Sequence, residues 1–429
     1  MGDAKLKAPR GTFDVLGEEA TCRSAIEARA RAILEGAGYE RIETPVFEAT
    51  ELFARGVGES TDIVRKEMFT LEDQAGRSLT LRPEGTAPVC RAYVQHGMHK
   101  RRQPVKLWYL SCFFRHERAQ AGRYRQFWQV GAEAIGSEDP AVDAELIALL
   151  ATLLAELGVR ELRLRLSSLG SIASRREYRE RLQAYLRAHQ SELSEEVRGR
   201  IELNPLRAFD SEHRGTLAVM RDAPLLRDHL SADDAEHFAH VRELLDRAGV
   251  VYELDPTLVR GLDYYTRTVF EFTSDALGAQ SGVGGGGRYD GLIEQLGGAP
   301  TPGIGWAAGI ERIMLAGDDG AAARSGHGAH QLAPAPLELF IATDGHSQAV
   351  RAIAFGLLSE ARAAGLTAQT DLGGRSLKGQ LGHADALRAR YVAILDDRGA
   401  VLKDMQGGMQ QSLDANAVVH AVLRGHHAL

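Results

Sequence analysis

Long apolar runs, paired cysteines and lysine are what this chain has least of. No apolar run approaches the roughly 18 residues that crossing a bilayer needs, and the N-terminal MGDAKLKAPRG carries no hydrophobic leader, so a soluble, cytoplasmic protein without membrane partners is expected. Three cysteines, Cys22, Cys90 and Cys112, stand far apart with no CxxC pair, which fits a reducing compartment and argues against structural zinc. A strong charge imbalance is missing too. With 51 basic and 58 acidic residues the net charge is -7, so any polyanionic partner must be held by local patches. Lysine is scarce beside arginine, and an arginine therefore carries meaning only through clustering and neighbours. At 429 residues the chain is too long for one ordinary domain, and two or three are expected, each with its own core.

What is present follows a clear order. Residues 18–36 carry Ile26, Ala30, Ile33 and Leu34 at helical spacing, and 39–43 reads as a strand stopped by Pro45. RSLTLRPEG, VKLWYLSCFFRHE and RQFWQVGAEAIG read as further strands, the last leading into an apolar helix over 140–157. From 168 to 250 the texture changes to charged helical segments, expected to form an insertion. VVYELDPTLVRGLDYYTRTVFEF resumes strand character, followed by the glycine-rich GVGGGGRYDG and a helix around GIGWAAGIERIML. Residues 316–336, rich in Gly, Ala and Pro, read as a linker. Beyond it, 337–429 alternates strands and helices as a small α/β domain with a largely parallel sheet would.

One stretch stands out: FRHERAQAGRYRQF sets Arg115, Arg118, Arg123 and Arg125 around Glu117 between two strand-like apolar segments. If those segments pair as a hairpin, a period of two places Val130, Ala132 and Ala134 on one face, with Phe127, Gln129 and Glu133 on the other beside Phe113, Arg115 and Glu117. Simple solvent exposure would explain the charges but not the phenylalanines. Arginine offers a planar fork of donors to phosphate oxygens. A phenyl ring offers a stacking surface to a purine, and glutamate accepts from an exocyclic amine or an imidazole N–H. Together these would bind a nucleoside triphosphate without a P-loop.

These peptides carry a resemblance. FRHE with GRYRQF resembles motif 2 of the class II aminoacyl-tRNA synthetases, GYERIETPVFE resembles motif 1, and GIGWAAGIERI resembles motif 3 with its arginine at Arg312. Within that class, LVRGLDYYTRTVFEF, GGGGRYDGL and LRPEGTAP resemble the signature peptides of the histidyl-tRNA synthetase family, and RGTFDV, LNPLRAFDSE and GRSLKGQLGHADALRARYVAIL extend the likeness nearly end to end. It implies an α+β catalytic domain over 1–325 built on an antiparallel sheet, with the helical insertion at 168–250 inside it and an anticodon-binding α/β domain at 337–429. It implies activation of L-histidine with ATP and Mg²⁺, without zinc, transfer of the histidyl group to histidine tRNA, and a homodimer through motif 1. Carried over residue by residue, it implies Arg115 on the α-phosphate and the histidine carboxylate, Glu117 on the adenine amine, Phe127 on the adenine face, and Arg123 and Arg312 on the γ-phosphate. Glu84, Gly85 and Thr86 would hold the α-amino group, and Gln129, Glu133, Tyr264, Tyr265 and Tyr289 the rest of the amino acid. Arg260 would be the family's histidine-specific catalytic arginine.

Competing signals are weaker. GVGGGG matches GxGxxG but lacks the strand-turn-helix context of a dinucleotide fold, and His116-Glu117 is not half of HExxH because Gln120 takes the second histidine's place. Taken alone, Tyr264 and Tyr265 read equally well as strand aromatics, and the insertion's charged helices as solvated faces. The alternative function, a non-catalytic synthetase-like regulatory subunit of ATP phosphoribosyltransferase, would lose the signature residues and the C-terminal domain; both are present. A tRNA-sensing domain would be fused to a kinase, and no kinase segment occurs.

Overall fold

The computed structural model describes residues 6–58, 61–117, 122–258, 260–278, 281–317, 337–345 and 347–426. Its contacts divide the chain into two compact units, 1–329 and 330–429. In chain order the first unit has strands β1 (Glu40–Arg41), β2 (Phe47–Ala49), β3 (Phe69–Glu72), β4 (Ser78–Leu81), β5 (Val105–Phe114) and β6 (Gln126–Ile135). These are followed by β7 (Leu162–Ser168), β8 (Glu253–Leu254), β9 (Thr266–Ser274), β10 (Gly282–Arg288) and β11 (Gly303–Gly309). Eight of them form one sheet, ordered β1-β5-β6-β11-β10-β9-β7-β8, parallel only at its outer pairs β1-β5 and β7-β8. A separate sheet is ordered β2-β4-β3.

The hairpin expected around the arginine cluster is the centre of this architecture. β5 and β6 pair antiparallel with Phe113 opposite Phe127, Ser111 opposite Gln129 and Leu107 opposite Glu133. The alternation of side chains then builds two cores. Trp108, Val130, Ala132, Ala134 and Trp306 pack under the helices Gly17–Gly36 and Pro140–Glu156, against Ile26, Ala30, Leu34, Leu146 and Leu150. The second of these helices starts where Asp139 accepts from the Ala141 N–H at 2.8 Å and Pro140 occupies the first turn. Tyr109 and Phe113 face the other way and join Val89, Cys90 and Tyr93 of the helix Thr86–Gln95. That second core runs on into the inserted helices through Tyr178, Leu182 and Leu186, so the inserted helices share the core of the first unit.

In the first unit, sequence expectations fail at three places. GIGWAAG is not helical: it is β11, and the helix begins only at Ile310. Tyr264 and Tyr265 precede β9 rather than lying in it. The expected linker starts too early, because Ala316 is buried at the end of the helix Ile310–Ala316 and Gly317 bridges to Val159; residues 318–336 lie outside the described residues.

The second unit has β12 (Leu339–Thr343), β13 (Ala368–Thr370), β14 (Tyr391–Asp396), β15 (Gly399–Asp404) and β16 (Gln410–Leu413), in the order β13-β12-β14-β15-β16. Only β12 pairs parallel, with β13 and β14; the other two pairings are antiparallel, so the sheet is mixed rather than largely parallel. β16 was not legible in the sequence because QQSL lies on an edge, mostly exposed, with no apolar alternation. The helices Gln348–Ala363 and Val418–His426 cover one face through Val350, Leu357, Val418 and Val422, and Leu377–Ala386 covers the other through Ala384.

Candidate active site

At the open end of the central hairpin the ladder continues past β5, where the Arg115 N–H donates to the Arg125 carbonyl at 3.0 Å. The Arg115 side chain is fixed by its Nε donating to the Pro83 carbonyl at 2.9 Å and by its guanidinium lying 5.2 Å from the centre of the Phe127 ring. Glu117 pairs with Arg123 at 3.1 Å and reaches Arg115 at 3.9 Å. Arg118 and Gln120 lie outside the described residues.

Arg115, Glu117, Arg123 and Phe127 wall one side of a cavity of about 380 Å³. Gln129, Arg260, Glu271, Glu311 and Arg312 add to its polar lining, together with Gly282 and Gly284 of β10. Four guanidinium groups therefore face one space beside the carboxylates Glu117, Glu271 and Glu311. Burial and the neighbouring Arg123 hold the Arg312 guanidinium below its ordinary value, the mark of crowded cations that an anion would relieve. Burial works the same way on Arg260, but Glu271, whose Oε1 accepts from Arg260 Nη1 at 2.7 Å, together with Tyr265 and Tyr264 outweighs it and raises the value. Arg260 Nε is buried with no hydrogen-bond partner among the described residues.

Behind the cavity lies a buried polar nest. Glu133 is fully buried; Thr86 Oγ1 donates to its Oε1 at 2.8 Å, Tyr109 to the same oxygen at 3.4 Å, and Tyr289 to Oε2 at 2.7 Å. Burial pushes its pKa from 4.5 up to about 8, against the pull of those hydroxyls and with a further push from Glu84. Glu84 caps the helix Thr86–Gln95, accepting from the N–H groups of Thr86 at 2.7 Å and Ala87 at 2.9 Å; its pKa is raised by burial, partly countered by those donors and by Arg115. The rings of Tyr264 and Tyr265 are 4.7 Å apart, and Tyr264 meets Tyr289 at 5.9 Å. Two glycines make the space. A Cβ on Gly305 would stand 1.6 Å from Glu133 Oε2, and one on Gly131 would stand 2.3 Å from the Tyr109 ring. On the opposite face Arg288, also fully buried, pairs with Asp143 at 2.7 Å and so fixes the strand end from which Tyr289 reaches Glu133.

The structure thus separates the expected site residues into two adjoining groups. Arg115, Glu117, Arg123, Phe127, Gln129, Arg260 and Arg312 share the open cavity. Glu84, Gly85, Thr86, Glu133, Tyr264, Tyr265 and Tyr289 do not line it and sit in or against the nest. Arg115 and Arg260 mark the border: Arg115 acts on Glu84, and Arg260 on Tyr265. Sequence reasoning missed Glu271 and Tyr109. Both had a signal, the first as the one charge in VFEF, the second because it shares the period-two face of Phe113. Among the described residues, no group of three or more His, Cys, Asp or Glu is placed to hold a metal ion.

Comparison with known proteins places the whole chain in one family. The family model described as histidyl-tRNA synthetase matches residues 11–313. A histidine–tRNA ligase of Halorhodospira halophila is 48% identical, with 99% of this chain and 99% of that protein covered. The crystal structure of apo S. aureus histidyl-tRNA synthetase is 35% identical with a TM-score of 0.79, covering 97% of this chain and 100% of that one. A Bacillus halodurans structure titled as an ATP phosphoribosyltransferase regulatory subunit/histidyl-tRNA synthetase has a TM-score of 0.61 at 24% identity and 87% and 95% coverage, which shows a shared fold alone. On the family model, and on identity carried over essentially the whole length, this chain belongs to the histidyl-tRNA synthetase family.

Proposed function

We propose that the family's reaction, histidine–tRNA ligation, is divided between the two adjoining spaces: the buried nest selects histidine and the arginine-lined cavity holds ATP. The observation that carries this is the placement of Arg115 and Arg260 on the border between the two. A histidine carboxylate oxygen there would attack the α-phosphorus, forming the acyl-phosphate bond while the bond to the β-phosphate oxygen breaks and pyrophosphate leaves. Charge accumulates on phosphoryl oxygens, so positioned cations supply most of the acceleration. A ribose hydroxyl of the tRNA then takes the histidyl group and AMP leaves.

Arg115 would hold the α-phosphate and the histidine carboxylate, and Arg260 the same phosphate from the other side. Arg123 and Arg312 suit the γ-phosphate; Glu117 suits the adenine amine. Phe127 offers a ring to adenine, although Arg115 already lies over it, so base and guanidinium must share that surface. Glu84, at the start of the helix Thr86–Gln95, and Thr86 would take the α-amino group beside Gly85. Glu133 would accept one imidazole N–H while Tyr265 pairs with the other ring nitrogen, and Gln129, Tyr264 and Tyr289 would complete the enclosure. Such a site rejects apolar isosteres strongly because its own polar groups would be left unpaired.

The wall carboxylate Glu271 fits Mg²⁺ that is carried mainly by phosphates and takes one protein oxygen. When bound, the ion would neutralise charge on the departing pyrophosphate. The reading extends to a cytoplasmic homodimer: around the β2-β4-β3 sheet, Val46, Phe47 and Leu71 are 42%, 53% and 44% exposed, an apolar set suited to a second copy. The C-terminal unit is assigned to the anticodon end of the tRNA. Pyrophosphate exchange measured with each of the twenty amino acids tests the specificity: exchange should require histidine, and exchange driven by another amino acid would overturn it.

A further inference from the structure

The segment from Arg260 to Tyr265 has no regular structure of its own, yet it carries Arg260, Tyr264 and Tyr265. Side chains from the inserted stretch hold it, beside a hydrogen bond from the Asp263 N–H to the Val57 carbonyl at 3.3 Å. Arg175, on the helix Ile172–Ala188, donates from Nη1 to the Asp263 carbonyl at 2.9 Å and to the Tyr265 carbonyl at 2.6 Å, bracketing Tyr264. Asn204 Nδ2 donates to Asp263 Oδ1 at 2.8 Å. Arg207 Nη2 approaches the Gly261 carbonyl at 3.5 Å while its Nη1 holds Asp210 at 2.7 Å. Asn204 and Arg207 both belong to LNPLRAFDSE, a quoted peptide to which the reaction above gives no role.

Arg175 is an unusual device. Burial lowers its pKa, partly countered by the carboxylate of Asp263. A largely desolvated cation whose hydrogen bonds go to backbone carbonyls is costly to place, and two backbone oxygens could be satisfied more cheaply by water or a hydroxyl. What a rigid guanidinium adds is fixed spacing between two points of the chain. The helix that carries it is itself anchored by Tyr178, Leu182 and Leu186 in the shared core.

We infer that Arg175 and Asn204 are positioning residues for histidine activation, through which the insertion sets the placement of the Arg260–Tyr265 segment. The inference rests on the role given above to Arg260. Displacing a reacting group by about 1 Å can lower a rate by about 100-fold. Arg175→Met should accordingly slow single-turnover histidyl-adenylate formation by roughly 10- to 100-fold and raise the histidine requirement, with the ATP requirement unchanged. Arg175→Lys, able to reach one carbonyl, should recover part of the rate. Asn204→Ala, at a partly exposed position where folding is less at stake, should slow the step by about 3- to 10-fold.

The deciding experiment is a double-mutant cycle in the full chain, with adenylate formation measured for Asn204→Ala, Arg260→Ala and the pair. If Asn204 acts through the segment, the pair is no slower than Arg260→Ala alone. Multiplicative effects would overturn the inference, as would Asn204→Ala and Arg175→Lys variants with lower thermal midpoints and normal rates. A fully active Arg260→Ala would instead overturn the assignment of Arg260, and this inference with it; a slow Arg260→Ala beside normal Asn204 and Arg175 variants would overturn this inference alone.

Discussion

Histidine binding should release a proton, and Glu133 is the group that should supply it. In the free protein its pKa stands near 8 because burial outweighs three hydroxyl donors. Moving a carboxyl from 4.5 to about 8 corresponds to roughly 5 kcal/mol of disfavoured ionisation, at about 1.4 kcal/mol per tenfold. The folded protein therefore holds a proton that the unfolded chain has lost between about pH 4.5 and 8, and the stability from this group, full at low pH, falls as pH rises through that window. An imidazole N–H favours the ionised carboxylate instead. At pH 7.5, where free histidine carries a neutral ring, binding should expel about three-quarters of a proton, and histidine affinity should rise with pH up to about 8 and then level. Titration calorimetry in two buffers of different ionisation heat reads that number directly. Glu133→Gln should abolish the buffer dependence and weaken histidine by about 1.5 to 3 kcal/mol, roughly 10- to 150-fold, while ATP affinity holds. Buffer-independent heats in the native protein, or equal losses of histidine and ATP in the variant, would refute the reasoning.

Other consequences can be measured separately. Arg260→Ala should lower single-turnover adenylate formation by roughly 100- to 1,000-fold at saturating substrates, and Arg260→Lys should restore little because an ammonium cannot reproduce the fork; a normal rate with only a raised substrate requirement would make Arg260 a binding residue. Gly305→Ala forces a methyl into the place of Glu133 Oε2, so it should cost histidine binding and thermal stability together, and a silent variant would show that the nest is looser than its distances. A chain lacking residues 330–429 should still form histidyl-adenylate but charge tRNA poorly; loss of adenylate formation in a folded truncation would show that the two units are not separable.

The chain's local pattern determined a good deal. Alternation in LWYLSCFF and QFWQVGAEA sorted Val130, Ala132 and Ala134 toward one core and Phe127, Gln129 and Glu133 toward the other face before any pairing was known, and the apolar run over 140–157 marked a helix. Those features depend on neighbours a few residues apart, which a sequence displays. Peptide order likewise displayed the family. GVGGGG, by contrast, gave no strand pattern and GIGWAAG read locally as helix, and only pairing makes them strands: a Cβ on Gly286 would stand 1.9 Å from the Gly305 carbonyl oxygen, so side chains are excluded by a partner strand 19 positions away in the chain. The same long-range packing decided that Glu133 is buried under Gly305, that Arg260 is paired with Glu271, and that Arg175 clamps the segment bearing Tyr264. Charge state and orientation at this site are set by which groups tertiary contact brings within about 3 Å in a space closed to water, and one-dimensional spacing carries no record of that.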